Sequence, residues 1–268
     1  MKLTIHQVDA FSDKVFSGNY AAVIITEQWL PDELMQSIAS ENNLSETAFA
    51  KIIADQHYEL RWFSPLLEID FCGHATLATA FVLFSQHPLL NELTFTAKAV
   101  GDMIIKRLND GFIEMSFPNR KPEIVDTVPT DLLNALSISP QQVLKNQQAY
   151  FVIYDKEQHV HSIQIDMELI KQLAPFDVVV TAPSNQYDFI SRYFWPANGG
   201  DEDPVTGSIH TGLAPYWANR LNKNELIAYQ ASKRGGLLKC RVTEDRVFIS
   251  GKAVLYLEGT LYVSGDYK

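Results

Sequence analysis

Cysteine is scarce in this chain: there are two, Cys72 and Cys240. Two thiols cannot build a disulfide framework. Positive charge is short as well, with 22 Lys and Arg against 32 Asp and Glu and a formal net charge of -10. Nucleic acid and anionic membrane surfaces both select basic patches, so neither is an expected partner. No uncharged apolar run approaches the ~20 residues of a bilayer-spanning helix. The opening MKLTIHQVDAF lacks the unbroken apolar stretch of a secretory signal, so a cytoplasmic protein is expected. Cofactor motifs are missing too: no G-x-G-x-x-G follows a strand pattern and there is no Walker loop. Ser208 and His210 sit in no G-x-S-x-G elbow. Cys72 and His74 are two apart, with no second Cys/His pair at ligand spacing, so no metal site is expected. That leaves proton chemistry without a cofactor on a small carboxylate-bearing molecule.

What the chain has is internal repetition. Gly73 and Gly207 lie 134 positions apart, half of the 268 residues. At the same offset Leu83 matches Trp217, Ala97 matches Ala231, Gly101 matches Gly235 and Ile113 matches Val247. Both halves read as a helix of small residues followed by three strands. The period is too long for a solenoid. It predicts two similar domains from one duplicated unit, with the site between them.

Hydrophobic periodicity places the elements. KLTIHQVDAF, NYAAVIITE and HYELRWFS read as strands, the first two joined through SGN, and AYFVIYD and DVVVTAP are strands of the second half. PDELMQSIASENN reads as a helix, with Pro31 suited to its first turn. TDLLNALSI and DMELIKQLAPF are helices as well. GHATLATAFVLFSQ and VTGSIHTGLAPYWANRL are the helices of the repeat, and AVLYLEGTLYV reads as a terminal hairpin. Strands outnumber helices in both halves, so the expected class is α+β.

The repeat helices carry almost no charge, and a helix that is uncharged all round is buried. The start of a buried helix offers unpaired N–H groups and the positive end of the dipole, which suit an anion. Gly73 and Gly207 allow a ligand close to the backbone, and Thr206 and Ser208 add hydroxyls. Taken alone, Asp203 or Thr206 would simply cap its helix; two matching starts point to a ligand site. Cys72, His74, Asp203 and Glu46 are the ionisable groups at or near these starts. Each has an ordinary alternative: an exposed loop carboxylate for Glu46, a buried histidine and thiol for His74 and Cys72, a solvated acidic turn for Asp201, Glu202 and Asp203.

The stretches VDAFSDKVFSGNYAAV, NLSETAFA, FCGHATLATA, DEDPVTGSIHTGLAPYW and SKRGGLLKCRV with VFISGKAV resemble, in that order, the PhzF family of phenazine-biosynthesis-like proteins. The resemblance covers essentially the whole chain. It implies a diaminopimelate-epimerase-like fold of two pseudo-symmetric domains, each a curled mixed sheet around a central helix, with the active site in the cleft. Expected boundaries are 1–115 and 116–255, the last strand, about 256–268, returning to the first domain. The resemblance also implies a homodimer, no cofactor, and an isomerase that moves a proton between carbons of a small cyclic carboxylate-bearing substrate. By its motifs Glu46 shuttles the proton, His74 and Asp203 assist, and Ser45, Gly73, Gly207 and Ser208 bind substrate.

Fold relatives supply a rival, since diaminopimelate epimerase and proline racemase oppose two thiols, one at the start of each central helix. Here Cys72 holds the first position and Thr206 the second. A racemase would have to pair Cys72 with Asp203. A third expectation, from another class, is a binding protein that keeps the anion site and has no turnover.

Overall fold

A computed structural model describes residues 1–197 and 199–263. The first half of the chain runs β1 (Lys2–Ala10), β2 (Asn19–Thr26), α1 (Asp32–Asn42), β3 (Glu46–Ala54), β4 (His57–Phe63), β5 (Glu68–Ile69), α2 (Gly73–Gln86), β6 (Glu92–Ala97), β7 (Gly101–Arg107) and β8 (Ile113–Pro118). It continues as β9 (Glu123–Ile124), α3 (Thr130–Ala135), β10 (Gln142–Lys145), β11 (Ala149–Ile153), α4 (Glu157–Ser162), α5 (Met167–Lys171) and β12 (Asp177–Pro183). Last come β13 (Phe189–Trp195), β14 (Gly200–Asp203), α6 (His210–Leu221), β15 (Glu225–Gln230), β16 (Gly236–Val242), β17 (Arg246–Gly251) and β18 (Ala253–Tyr262). The chain forms two compact units: residues 1–116 with the segment from Ser250 onward, and Phe117–Ile249.

In the first unit β1 pairs antiparallel with both β2 and β18. β2 runs parallel to β3, β3 antiparallel to β4, and β4 parallel to β6, which turns back into β7. Alternation along β3 sends successive side chains to opposite faces. Phe49 joins Leu34, Met35 and Ile38 of α1 in one apolar cluster with Phe63. The Phe49 and Phe63 rings meet edge to face at 5.6 Å, a pairing worth about 0.5–1.5 kcal/mol beyond the area buried. Glu46, three positions away, therefore faces the other side, toward α2. That helix is buried on nearly every face, from Gly73 to Phe84, and packs on β1, β2, β3 and β18. The uncharged sequence has its physical counterpart in this burial.

The second unit repeats the pairing scheme. β10 and β11 are antiparallel, β11 and β12 parallel, β12 and β13 antiparallel, β13 and β15 parallel, and β15 and β16 antiparallel. Its buried helix is α6, where Trp217 stacks on Phe189 at 5.7 Å and donates its indole N–H to Thr181 Oγ1 at 3.0 Å. A second cluster, with Leu132, Val160 and Ile170 from α3, α4 and α5, covers the sheet elsewhere. Gly101 and Gly235, equivalent by the 134-residue offset, both take positive φ, 71° and 67°, Gly101 as the first residue of β7 and Gly235 just before β16. Such a backbone strains any residue with a Cβ.

Two expectations need correction. AVLYLEGTLYV is one strand, not a hairpin: Glu258 and Gly259 pair with His6 and Ile5 in a ladder that runs the length of β1 with one register shift, between Gln7 and Val8. The second repeat helix begins at His210 rather than Val205. Gly207, Ser208 and Ile209 form a tight turn whose carbonyls accept from the N–H groups of His210, Thr211 and Gly212, three residues on. A 3₁₀-type entry of this kind uses up part of the helix start.

Candidate active site

Glu46 is no loop carboxylate. It is the first residue of β3 and 5% exposed. Its position opposite Ala21 of the parallel neighbour β2 fixes where the strand enters the unit. Cys72 occupies the N-cap of α2, its carbonyl accepting from Thr76 N at 3.0 Å and Thr76 Oγ1 at 2.6 Å. Its thiol makes no capping bond. His74 follows on the first turn, 6% exposed. The strand and helix thereby bring three reactive side chains together.

His74 Nε2 lies 2.9 Å from Glu46 Oε2. The approach is off the N–H axis, so Oε2 is buried without an aligned donor. On the other side of the ring, Asn19 Nδ2 sits 3.1 Å from Nδ1, and Ser45 Oγ donates to Asn19 Oδ1 at 3.3 Å. Cys72 Sγ is 3.4 Å from the same Nδ1. With two donors aimed at Nδ1, the neutral ring carries its proton on Nε2, toward the carboxylate. Asn19 is wholly buried as the first residue of β2, although SGN reads in sequence as a turn.

Charge in this trio is unevenly held. Burial pushes the Cys72 thiol up to about 11, the Glu46 charge adding to it and His74 opposing. Burial works against a charge on the His74 ring, but Cys72 where it is ionised and the Glu46 carboxylate outweigh it and raise the imidazole well above its usual range. Because the thiol stays protonated near neutral pH, Glu46 is the partner that holds the ring proton there.

Asp203, Gly207 and Ser208 lie in the second unit. Asp203 ends β14, 8% exposed, and accepts a short hydrogen bond from Thr206 Oγ1. Thr206 N donates to Gln230 Oε1 at 2.9 Å, and Gln230 Nε2 donates to the Asp203 carbonyl at 2.8 Å. Neither Asp203 nor Thr206 caps α6 with its side chain; Ile209 is the N-cap and makes no side-chain bond. Gln148 Nε2 donates to Ser208 Oγ at 3.0 Å and lies 3.1 Å from the Tyr193 hydroxyl, which donates to Asp177. Sequence reasoning missed Asn19, Gln148, Tyr193 and Gln230. Each lies on or beside a strand, where its type gives no sign of which way it points.

A cavity of about 640 Å³ on the first unit is lined by Trp29, Asp32, Arg61, Glu68 and Lys98 among others, and by none of the trio. Arg61 there is clamped by both oxygens of Glu68 and by Asp32, a bracket that holds β4 to its surroundings.

The fold is that of the PhzF proteins and of the proline racemase and epimerase structures. A crystal structure described as a probable proline racemase from Agrobacterium radiobacter superposes with a TM-score of 0.64 at 13% identity, over 98% of this chain and 93% of that one. The chain belongs to the PhzC-PhzF family, described as phenazine biosynthesis-like protein, whose family model matches residues 8–259. A PhzF-family crystal structure from Enterococcus faecalis is similar at a TM-score of 0.93 and 43% identity, covering 98% of this chain and all of that one. A protein named uncharacterized isomerase from Pseudomonas aeruginosa is 49% identical over 98% of this chain and 100% of its own length. A mouse phenazine biosynthesis-like domain-containing protein is 37% identical over 97% of this chain and 99% of its own. No helix among the described residues is long and apolar enough to cross a membrane.

Proposed function

We propose that the protein is an isomerase that moves a proton between two carbons of a small cyclic carboxylate-bearing metabolite, without a cofactor. The observation that carries this reading is the buried Glu46 carboxylate, set 2.9 Å from His74 Nε2 yet with an oxygen that no aligned donor satisfies. A carboxylate left in that state is poised to accept a proton from a bound carbon acid. In the proposed cycle Glu46 takes the proton from one carbon, and the electron pair delocalises into the substrate's unsaturated system. The same carboxyl group returns the proton to a second carbon, so nothing is oxidised or reduced. His74 shares its Nε2 proton with Glu46 and stabilises the developing charge. Ser45 acts through the Asn19 amide, to which it donates and which meets the His74 ring. The motif resemblance assigns Asp203 to the same reaction and Gly73, Gly207 and Ser208 to substrate holding. The homodimer that the resemblance implies and the cytoplasmic location expected from the sequence belong to the same proposal, and sedimentation and fractionation test them.

The racemase alternative rests on Cys72 at the head of α2. Two features count against it: burial pushes the thiol up to about 11, and the equivalent position is Thr206, whose hydroxyl donates to Asp203. The test is a screen of cyclic hydroxy- and amino-acids in D₂O. An isomerase working through one carboxylate returns product with part of the migrating hydrogen retained. A two-base racemase inverts its substrate with full uptake of deuterium. Ligand-induced stabilisation with neither outcome would make the protein a binder and overturn the enzyme reading.

A further inference from the structure

The turn that leads into α6 carries two hydroxyls in opposite states. Thr206 Oγ1 gives its proton to the Asp203 carboxylate. Ser208 Oγ instead accepts a proton, from Gln148 Nε2 at 3.0 Å, and no acceptor among the described residues takes its own. The direction of that bond is set two side chains further back. An ionised carboxylate only accepts, so Asp177 takes the Tyr193 proton in a short bond. Burial first, and then the Asp177 charge, push the Tyr193 phenol up, which keeps it a donor. The Tyr193 oxygen is left to accept, and Gln148 Nε2 fills it at 3.1 Å. Both hydrogens of that amide nitrogen are then used, one on Tyr193 and one on Ser208. Turning the amide over would set Gln148 Oε1 against a Tyr193 oxygen whose proton already lies on Asp177. The observed orientation leaves Oε1 buried with no partner, and a buried unsatisfied acceptor calls for a reason.

The strands hold each member in place. Gln148 precedes β11, its N–H donating to Asn146 Oδ1 at 2.8 Å and its carbonyl accepting from Asp177 N at 3.1 Å. Asp177 opens β12 opposite Ala149, and Tyr193 lies on β13 opposite Val179. We propose that Asp177, Tyr193 and Gln148 are positioning residues that make the Ser208 hydroxyl an obligate donor, so that the second unit takes its ligand by an acceptor, a carboxylate oxygen of the substrate class given above. The Ser208 oxygen is anchored from behind by the amide, and its proton is presented outward. A donor oriented before the ligand arrives needs no reorganisation when the anion docks, and the bond it makes is charge-assisted. The proposal rests on the reading that Ser208 holds substrate. It transfers no proton: the chain of donors keeps its direction throughout.

The test uses benzoate, a plain cyclic carboxylate, titrated calorimetrically into the full chain. The unaltered protein should bind it saturably. Ser208→Ala should weaken binding about 10- to 100-fold, the range of one hydrogen bond to a charged group. Tyr193→Phe releases the amide and should weaken binding several-fold, yet it should add nothing in the Ser208→Ala background, because it acts through the serine. Asp177→Asn still offers Tyr193 an acceptor and should bind as the unaltered chain does. A crystal structure of the unaltered chain with benzoate should place a carboxylate oxygen within hydrogen-bond distance of Ser208 Oγ, with Gln148 Nε2 still behind it, which keeps the test decisive if a variant misfolds. Absence of saturable binding, equal losses from Tyr193→Phe in both backgrounds, or benzoate seated away from Ser208 would overturn the proposal. None of these measurements needs turnover. A chain that binds benzoate through Ser208 but fails the D₂O screen loses the isomerase reading and keeps this one.

Discussion

His74 reads two neighbours with its two nitrogens: Nε2 meets the Glu46 carboxylate at 2.9 Å, and Nδ1 meets the Asn19 amide at 3.1 Å. The carboxylate comes from the head of a strand, the imidazole from the first turn of a buried helix, and the amide from the head of a neighbouring strand. A proton on this ring is therefore placed by the fold rather than by solvent.

Glu46→Gln keeps the shape and volume of the side chain but removes the base. The proton-transfer reaction should fall by about 10²–10⁴-fold, the usual contribution of a positioned acid–base group. The far-ultraviolet spectrum should change little, so the loss is of chemistry rather than of fold. Turnover at the unaltered rate would remove Glu46 from the chemistry.

Cys72→Ala should behave in the opposite way. A thiol held neutral to about 11 is a poor base near pH 7, so the variant should keep activity within a few-fold of the unaltered chain. Thiol alkylation should inhibit only by bulk. If Cys72→Ala is dead while Glu46→Gln works, the protein reacts as an epimerase would and the roles above are reversed.

Much of this arrangement was readable in the sequence, and the limits have physical causes. The buried helices announced themselves because GHATLATAFVLFSQ has no charge on any face, and α2 is indeed buried from Gly73 to Phe84. The 134-residue offset predicted equivalent turns, and Gly101 and Gly235 share a positive φ. The burial of Glu46 was not legible, because NLSET is polar and only the parallel pairing with β2 draws it inside. The end of the chain misled for the converse reason: Glu258 and Gly259 have turn chemistry, yet the free edge of β1 recruits them into a strand. SNQYDFISRYFWP carries no clear alternation, because β13 is covered on both faces along most of its length. Asn19 and Gln230 escaped notice since a polar residue in a strand pattern reads as solvent-facing until a neighbour is seen.

Asn19→Ala tests whether the amide positions the ring. It leaves the buried Nδ1 short of its Asn19 partner, and a lost buried hydrogen bond of this kind costs about 1–3 kcal/mol of stability. A purely structural role would stop there. A positioning role should also move the pH profile of turnover, because the ring loses the group that meets its Nδ1. Asn19→Asp should extend the imidazolium range to higher pH by adding a second negative neighbour. An unshifted profile in both variants would show that Asn19 only packs.

His74 should leave a mark on stability as well. Its folded value is raised above the unfolded one, so its contribution is fully present below about pH 6.5 and is lost as pH rises through the folded value. Glu46→Gln removes the partner that holds the ring proton. That variant should therefore lose relatively more stability at pH 6 than at pH 9, measured by urea midpoints. An equal loss at both pH values would mean that the ring is not charged by Glu46.

His210 makes the opposite prediction. It is wholly buried at the start of α6, its Nδ1 donating to the Thr206 carbonyl at 2.8 Å while Nε2 has no partner. Burial pushes its imidazole down to about 4, the Thr206 carbonyl opposing only in part. Above about pH 6.5 the ring is neutral in both the folded and the unfolded chain, and it adds no pH dependence. As pH falls below that, the unfolded chain gains a proton that the folded one refuses, so stability drops until about pH 4. The full drop is roughly 3 kcal/mol, since each pH unit of difference is worth about 1.4 kcal/mol. Urea unfolding at pH 7 and pH 4.5 should show this loss in the unaltered chain. It should be largely absent in His210→Gln, whose amide does not titrate. If the two proteins lose the same stability between those pH values, acid unfolding is driven elsewhere, and the start of α6 is not the acid-sensitive point of the second unit.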